Sequence, residues 1–570
     1  MSVILALTIL GLSTAANALP EARDQQSINW QPCPELNKNI IAIVGDGGPT
    51  FDCAKLSVPL DYTNPKSEPL ELDLFKVNAT KEPVLGTVLI NFGGPGGTGA
   101  ENLPRWGTEM AANIGEQWNL LSWDPRGTGK TIPFDCKIEG TGASTSTRKR
   151  DTGVLVSANI TEYFINAGWD TAGKIADACY NAMNETGSYI GSAFVARDMM
   201  KIVDALGEDG LLRYYGWSYG TALGSYVAAM FPERVERVVL DANVNPHDYQ
   251  AGHYGDFLVD VDKTLAAFFK ECLKNKDDCA LAQYTNANTT ADLIEPINQL
   301  LRPQLANATT SFEAWTSFSS LGAKIHSDLY FPADWPTLAE TIISVLNGSA
   351  AKAAGAAPSL TYEKYNLGEP WSSVGIRASD SLWRPKSLEE QLPQVKRQAS
   401  LSVLNSPAEG IWPAQRWKMN AKERYEGDFK VKTKHPILYV NSEYDPSTPL
   451  ANAYNGSKSF EGSVVLPHSG YGHGIVVDPS ACVASKIQAY FKDGVLPEPG
   501  SHCEPDLGPW EQAKAKAEAR AARARANETA AGQSAGNNTA EAFTGLASRA
   551  IVSPMLSFVV IMAAVGMSVL

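Results

Sequence analysis

The stretch Leu211–Ala229, LLRYYGWSYGTALGSYVAA, decides the fold of this chain. It opens with a short apolar and aromatic run typical of a buried strand, and it ends with small and apolar residues at helical spacing. Between them lies GWSYG (residues 216–220), a G-x-S-x-G motif. Strand, motif and helix together predict a nucleophile elbow, a turn so tight that a Cβ at either glycine would collide. We expect the turn to expose the Ser218 hydroxyl and to place the Tyr219 amide beside a bound carbonyl.

Strand-like and helical runs alternate on both sides of this turn. Continuous apolar runs are typical of central parallel strands that are covered on both faces. The alternation predicts a doubly wound, mostly parallel α/β sheet. The predicted strands are Thr87–Asn91, Asn119–Trp123, Val235–Asp241, Pro436–Asn441 and Ser463–Leu466, and the flanking helices are Phe194–Leu206 and Cys482–Asp493.

Residues 246–430 break this pattern, because they contain few strand-like runs. Helical segments are predicted at Gly255–Cys272, Ala291–Leu301 and Trp335–Leu346. We therefore expect a helical cap inserted between two parts of the core, residues 19–245 and 431–505.

Both ends of the chain resemble processing signals. Residues 1–18 hold an apolar run that ends in an A-x-A cleavage site, as in a signal peptide. Residues 506–549 read as an exposed helix and polar spacer, and residues 550–570 form a terminal apolar tail. This pattern is typical of a GPI-attachment signal, with Asn538 as the predicted attachment residue. A true tail anchor or single span is the alternative. Either predicts a protein held at a membrane.

The cysteines and the glycosylation motifs favour an oxidising, secretory compartment. Nearest-neighbour pairing is the simplest connectivity, although eight cysteines allow 105 pairings. No C-x-x-C pair or His/Cys cluster occurs, so the sequence predicts no metal. The cysteines are Cys33, Cys53, Cys136, Cys179, Cys272, Cys279, Cys482 and Cys503. The N-x-S/T sequons include Asn78, Asn159, Asn184, Asn288, Asn307, Asn347, Asn455 and Asn527.

Composition and two further segments narrow the range of possible functions. The net charge of −14 argues against a nucleic-acid partner. The run Gly93–Gly99 lacks the Lys-Ser/Thr ending of a phosphate-binding loop, so no nucleotide cofactor is predicted. Residues 140–151 form a low-complexity segment with a basic triplet, Arg148-Lys149-Arg150. It reads as a solvated loop, or alternatively as a site of proteolytic nicking bridged by a disulfide.

A serine nucleophile needs a histidine to accept its proton and a carboxylate to fix the tautomer of that histidine. His473 lies in a glycine-rich stretch, Ser469–Gly474, which is predicted to be a loop after a strand that ends near Leu466. Such a loop would carry the imidazole to the top of the sheet. The nearest rival is His468, which lies closer to the strand.

The predicted acid is Asp445, which directly follows the Pro436–Asn441 strand. Glu443 and Asp241 are the competitors. For Asp124, in the sequence Asp-Pro-Arg, we expect a structural role, either as a partner of the arginine or as a cap of a turn.

The glycine run after the Thr87–Asn91 strand predicts an oxyanion hole. A tetrahedral oxyanion needs at least two preorganised N–H donors, and glycines let the backbone come close. The predicted donors are the amides of Gly94 and Tyr219.

These motifs resemble those of the tripeptidyl-aminopeptidases, secreted α/β-hydrolases related to prolyl aminopeptidases. The resemblance implies an α/β-hydrolase fold with a cap, and it implies Ser218, His473 and Asp445 as nucleophile, base and acid. It also implies cleavage at peptide N-termini. The cap acids Asp256, Asp260 and Asp262 are candidates for an amine site or simply an exposed face. The matching stretches are Asn91–Gly99, Trp123–Gly129, Gly216–Thr221, Phe231–Pro246, Tyr444–Pro449, Gly472–Gly474 and Ser480–Cys503.

Three functions remain open on the sequence. The first is an extracellular serine exopeptidase acting on peptides. The second is an esterase or tailoring hydrolase with the same triad and a small ester substrate. The third, a catalytically silent binding protein, is disfavoured by the complete triad.

Overall fold

The computed structural model describes residues 27–34, 50–137, 164–297, 324–347, 371–402 and 412–535, together with Leu36, Thr161, Gln299, Gly322 and Leu404. The predicted signal peptide, the basic triplet, the predicted attachment residue Asn538 and the apolar tail lie outside these residues. Within them, no helix is both long enough and apolar enough to cross a membrane.

A sheet of nine strands forms the centre, in the order β1-β2-β3-β5-β4-β6-β7-β8-β9. Strands β4 to β9 are joined by parallel pairs, whereas β1, β2 and β3 pair antiparallel at one side. The predicted mostly parallel α/β sheet is confirmed. The strands are β1 Gln31–Pro32, β2 Phe51–Pro59, β3 Pro69–Val77, β4 Gly86–Asn91, β5 Trp118–Trp123, β6 Leu212–Trp217, β7 Val235–Asp241, β8 Leu438–Tyr444 and β9 Val464–Tyr471.

Helices cover both faces of the sheet, so alternate residues of a strand pack into different hydrophobic cores. In β4, Leu89 packs into one core, and Val88 and Ile90 pack into the other. The helices with defined bounds before β8 are α1 Gly99–Ile114, α2 Trp169–Met183, α3 Ser192–Leu206, α4 Tyr219–Met230, α5 Pro246–Ala251, α6 Val261–Lys274, α7 Ala280–Thr285, α8 Trp335–Leu346, α9 Ser372–Asp380, α10 Leu388–Leu401 and α11 Trp412–Gln415. After it come α12 Leu450–Ser457, α13 Ala481–Asp493 and α14 Pro509–Ala535.

In its described parts, the chain between β7 and β8 forms helices joined by loops, as expected for an inserted cap. Its own core includes Phe268, Trp335 and Leu338. The predicted helix Gly255–Cys272 is divided into a short 3-10 turn at Asp256–Leu258 and the helix α6. The cap therefore has a hydrophobic centre separate from the two faces of the sheet.

Strand β9 is longer than the sequence predicts. It continues to Tyr471, because Ser442 and Tyr444 of β8 pair in parallel with His468 and Tyr471. Half of the glycine-rich stretch is therefore strand, and the loop that carries His473 begins only at Gly472.

Four disulfides join the cysteines in nearest-neighbour pairs. They are Cys33–Cys53, Cys136–Cys179, Cys272–Cys279 and Cys482–Cys503. The Cys136–Cys179 bridge spans the segment with the basic triplet.

The start of α14 belongs to the packed fold rather than to an exposed spacer. The Trp510 ring stacks on Phe268 of the cap at 6.3 Å, and its indole N–H donates to Asp278 O at 3.2 Å. Gln512 contacts the buried Asp478, which follows β9. The predicted spacer from residue 506 therefore begins with residues whose contacts join the cap to the core.

Five of the predicted glycosylation motifs fall on described side chains, and all five asparagines are exposed. These are Asn78, Asn184, Asn288, Asn347 and Asn455. Asn159, Asn307 and the side chain of Asn527 lie outside what the structure describes.

Candidate active site

Ser218 stands on a strained turn between β6 and α4. Its backbone adopts φ 59° and ψ −124°, a conformation that costs energy for any residue with a Cβ. A Cβ on Gly216 would lie 2.3 Å from Gly220 O, and one on Gly220 would lie 2.5 Å from Asn91 O. The two glycines are therefore required by close backbone contacts, as expected for an elbow.

The glycine loop after β4 lies directly against this turn. A Cβ on Gly93 would lie 2.8 Å from Ser218 Cβ and 3.0 Å from Tyr219 N. Neither the Gly94 amide nor the Tyr219 amide donates a hydrogen bond to another described residue. Gly94 is also exposed. The structure thus brings together two free N–H donors, which is what an oxyanion hole needs.

Asp124 fixes the other end of this loop. Its Oδ1 accepts from Gly99 N at 3.0 Å and from Ala100 N at 3.2 Å, at the start of α1. The capping alternative is therefore the one that the structure shows. Pairing with the arginine is wrong, because Arg126 instead binds the buried Asp198, with Nε 2.7 Å from Oδ2.

The predicted acid and base form a hydrogen-bonded pair. His473 Nδ1 lies 3.0 Å from Asp445 Oδ1, and both side chains are buried. Asp445 also accepts from the amides of Ser447 and Thr448 at 2.8 Å each. Because a carboxylate only accepts, the proton sits on Nδ1, and Nε2 is left free to take a proton from a nucleophile.

The histidine loop is attached to the elbow. The Trp217 indole N–H donates to His473 O at 3.0 Å. Among the described residues, no hydrogen bond joins Ser218 Oγ to His473. In enzymes without substrate such bonds are often long and tighten only when substrate binds. Serine, histidine and acid are therefore assembled at one edge of the sheet.

The three rival residues lie in other surroundings. His468 is fully buried in β9, and neither of its ring nitrogens has a hydrogen-bond partner among the described residues. Glu443 is only partly buried, and its backbone carbonyl accepts from Lys263 Nζ at 2.6 Å. Asp241 accepts from Tyr215 Oη at 2.9 Å and from Ile475 N at 3.0 Å, so it fixes the histidine loop without contacting the imidazole.

A cap residue that the sequence did not single out covers the histidine. The Tyr330 ring lies 4.7 Å from the His473 ring, and Tyr330 O accepts from His473 N at 3.0 Å. The neighbouring Phe331 stacks on Trp106 of α1. No local motif marks these residues, because their role depends on how the cap folds over the core.

A second cap contact lies behind the nucleophile. The Tyr219 hydroxyl is 2.6 Å from Ser192 Oγ, and Ser192 N donates to Asp380 Oδ1 of α9 at 2.7 Å. Tyr249 Oη donates to Asp380 Oδ2 at 2.9 Å. The buried carboxylate of Asp380 therefore links the cap to the residue that follows Ser218.

The acidic cap residues already have ion-pair or hydrogen-bond partners within the protein. Asp256 Oδ1 lies 3.0 Å from Arg397 Nη2, Asp260 pairs with Lys263, and Asp262 accepts from Ser402 Oγ at 2.7 Å. Their contacts favour structural roles over an amine site.

Burial raises the pKa of several carboxyl groups, which affects the pH dependence of folding. The pKa is raised to about 6 for Asp124 and Asp380, and to about 7 for Asp241, Asp248 and Asp478. Burial acts in the opposite direction on four imidazoles. It lowers the pKa of His326 and His468 to about 4, and it also lowers the pKa of His247 and His253.

We predict that the protein is more stable near pH 5 than near pH 8. Between pH 4 and 7 the five carboxyls bind more protons in the folded state than in the unfolded state, so the free energy of unfolding falls as pH rises. The four histidines oppose this below pH 6.5, but they are fewer. The thermal midpoint should be higher at pH 5 by at least about 2–4 °C. Asp478→Asn should weaken the dependence, whereas the exposed Asp493→Asn should not. A midpoint that rises from pH 5 to pH 8 would contradict the prediction.

Comparison with known proteins agrees with the geometry. Residues 86–323 match the family model described as "alpha/beta hydrolase fold", and residues 409–503 match the one described as "TAP-like protein". The chain is thus an α/β-hydrolase and an enzyme of the serine-hydrolase class. Its sequence is similar to those of the TAP-like α/β-hydrolases, which agrees with the resemblance found in the sequence. No group of His, Cys, Asp and Glu suited to a metal occurs among the described residues.

Three relatives show the range of names in this group. The serine protease Hip1 of Mycobacterium tuberculosis is 25% identical over 516 residues, covering 85% of this chain and 92% of the relative. The tripeptidyl aminopeptidase of Streptomyces coelicolor is 25% identical over 476 residues, covering 80% and 84%. Carboxylesterase B of Mycobacterium tuberculosis is 26% identical over 516 residues, covering 85% and 91%.

Proposed function

We propose that this serine hydrolase is an exopeptidase that releases residues or short peptides from peptide N-termini. The observation that carries the chemistry is the buried Asp445–His473 hydrogen bond beside an elbow serine at φ 59°. The choice of peptides is supported by two relatives that are named as a protease and a tripeptidyl aminopeptidase.

In the proposed mechanism, Ser218 Oγ attacks the scissile carbonyl while His473 Nε2 takes its proton. The amides of Gly94 and Tyr219 stabilise the oxyanion, and Asp445 stabilises the imidazolium. The histidine then donates the proton to the leaving amine, which departs as an acyl-enzyme forms. A water molecule, deprotonated by His473, hydrolyses that ester and restores the serine.

An esterase is the second candidate, because a carboxylesterase is among the relatives. A panel of aminoacyl- to tripeptidyl-4-nitroanilides with free α-amines, their N-acetylated counterparts and 4-nitrophenyl butyrate separates the two. We expect turnover of free-amine anilides and its loss on N-acetylation. Turnover of the ester alone would overturn the peptidase proposal and support the esterase.

We also propose that the enzyme is exported and held at the cell surface through a GPI anchor. Four disulfides and five exposed sequons support passage through an oxidising secretory route. Treatment of intact membranes with a phosphatidylinositol-specific phospholipase C should release the protein. Retention after treatment would favour a membrane-spanning tail, and recovery only in the medium would contradict both.

A further inference from the structure

A cap arginine stands beside the glycine loop. Arg377 lies on α9, and its Nη2 donates to Gly94 O at 2.9 Å. Gly94 is exposed, and its own amide is one of the two proposed oxyanion donors. The guanidinium therefore lies next to the glycine whose amide would bind the substrate oxyanion.

The charge of Arg377 has no carboxylate partner among the described residues. Its hydrogen bonds go to Gly94 O and, from Nε at 3.3 Å, to Ser373 Oγ. Its Nη1 is buried without a hydrogen-bond partner. An arginine is always charged and presents five N–H donors in a planar fork. This one uses only part of that capacity, although it is only partly exposed.

Aromatic neighbours hold the guanidinium in place. It lies 5.4 Å from the Tyr254 ring and 5.1 Å from the Phe257 ring. Its positive charge lowers the pKa of two tyrosines, whereas burial raises it. These are Tyr330, over the histidine, and Tyr219, beside the serine. The cation is thus fixed beside the glycine loop.

Arginine stacked on aromatic rings beside a catalytic loop is suited to bind a carboxylate through two parallel hydrogen bonds. We propose that Arg377 forms a subsite for a substrate carboxylate next to the scissile bond. This inference rests on the proposed function, because it takes Gly94 as an oxyanion donor. It names the substrate class: peptides, or acyl esters, that carry a negative charge close to the bond that is broken.

The position of the guanidinium limits where that charge sits on the substrate. An extended chain advances by roughly 3.3–3.6 Å per residue. A carboxylate within reach of Arg377 would then belong to a residue that adjoins the scissile bond. It is either an acidic side chain there or the free C-terminus of a single leaving residue.

Matched substrate pairs test the proposal. The pairs compare Glu with Gln before the scissile bond, Asp with Asn after it, and a free C-terminus with an amide on a peptide that ends one residue beyond it. A fourth pair, 4-nitrophenyl hemisuccinate and 4-nitrophenyl butyrate, does not require peptidase activity. We expect the charged member of at least one pair to have kcat/KM higher by roughly 10- to 100-fold, as for one charge-assisted contact. The pair that shows the preference identifies the source of the charge.

The variant Arg377→Gln should bring that ratio close to one, and Arg377→Lys should keep part of it. The readout is the ratio of kcat/KM for the charged and the neutral substrate of a pair. Losing the bond to Gly94 O would slow the reaction of both substrates equally, so that effect does not change the ratio. Arg397→Gln is the matched control, since it removes an arginine of the same cap that pairs with Asp256. It should leave the ratio intact.

Two results would overturn the subsite. One is a wild-type enzyme that treats every pair alike, and the other is an Arg377→Gln variant that slows both members while the ratio stays the same. A charge preference seen with esters alone, and lost in Arg377→Gln, would contradict the exopeptidase proposal and support the subsite.

Discussion

Replacing Ser218 by alanine is expected to lower kcat by on the order of 10⁴- to 10⁶-fold, on anilides and esters alike. The hydroxyl would be the atom that bonds to the substrate, and no other serine stands on the strained turn between β6 and α4. The same change should abolish labelling by a fluorophosphonate probe. Steady-state kinetics and mass spectrometry of the labelled protein measure the two effects.

The control for this variant is Ser225→Ala in the same helix. Ser225 Oγ donates to Thr221 O at 2.9 Å, and we give it no catalytic role. It should retain both labelling and turnover. If Ser218→Ala kept its labelling and its rate, the proposed acyl-enzyme would be wrong.

Asp445→Asn is expected to lower kcat by about 10⁴-fold with little change in stability. The asparagine oxygen would still accept from the amides of Ser447 and Thr448. Its NH₂ group, however, would face His473 Nδ1, and the imidazole would then carry its proton on Nε2 and could not act as base. The pH profile of kcat/KM and a thermal melt separate this effect from unfolding.

Asp241→Asn is the matched comparison, because it makes the same change in the rival acid. Asp241 contacts Tyr215 and the backbone after His473, so the variant should lose less than about tenfold in kcat. A larger loss in Asp241→Asn than in Asp445→Asn would reverse the assignment of the acid.

The parts of the site that follow from local sequence could be predicted. The elbow needs two glycines around Ser218, because backbone atoms approach those positions closely, and such a requirement leaves a short motif. Asp445 and His473 follow strands, and the ends of neighbouring parallel strands meet at one edge of the sheet. The confirmed fold rests on the same alternation of strand and helix.

Contacts between distant parts of the chain could not be predicted. Tyr330 and Arg377 reach the site only because the cap folds over the core, and neither lies in a motif. The true end of β9 at Tyr471 depends on its pairing with β8, which extends the strand past Gly470. The partner of Arg126 was missed because Asp198 is far from it in sequence.

The long C-terminal helix has a practical consequence. It comprises 27 residues, so it forms a rod of about 40 Å. Trp510 and Gln512 fix its base to both the cap and the core, so the helix extends from a fixed point on the folded domain. A shortened protein that ends at residue 505 would lose Trp510 and Gln512, and the cap surface around Phe268 would become exposed to solvent. Shortened versions intended for crystallisation should therefore keep the helix at least through Lys516, which pairs with Asp334.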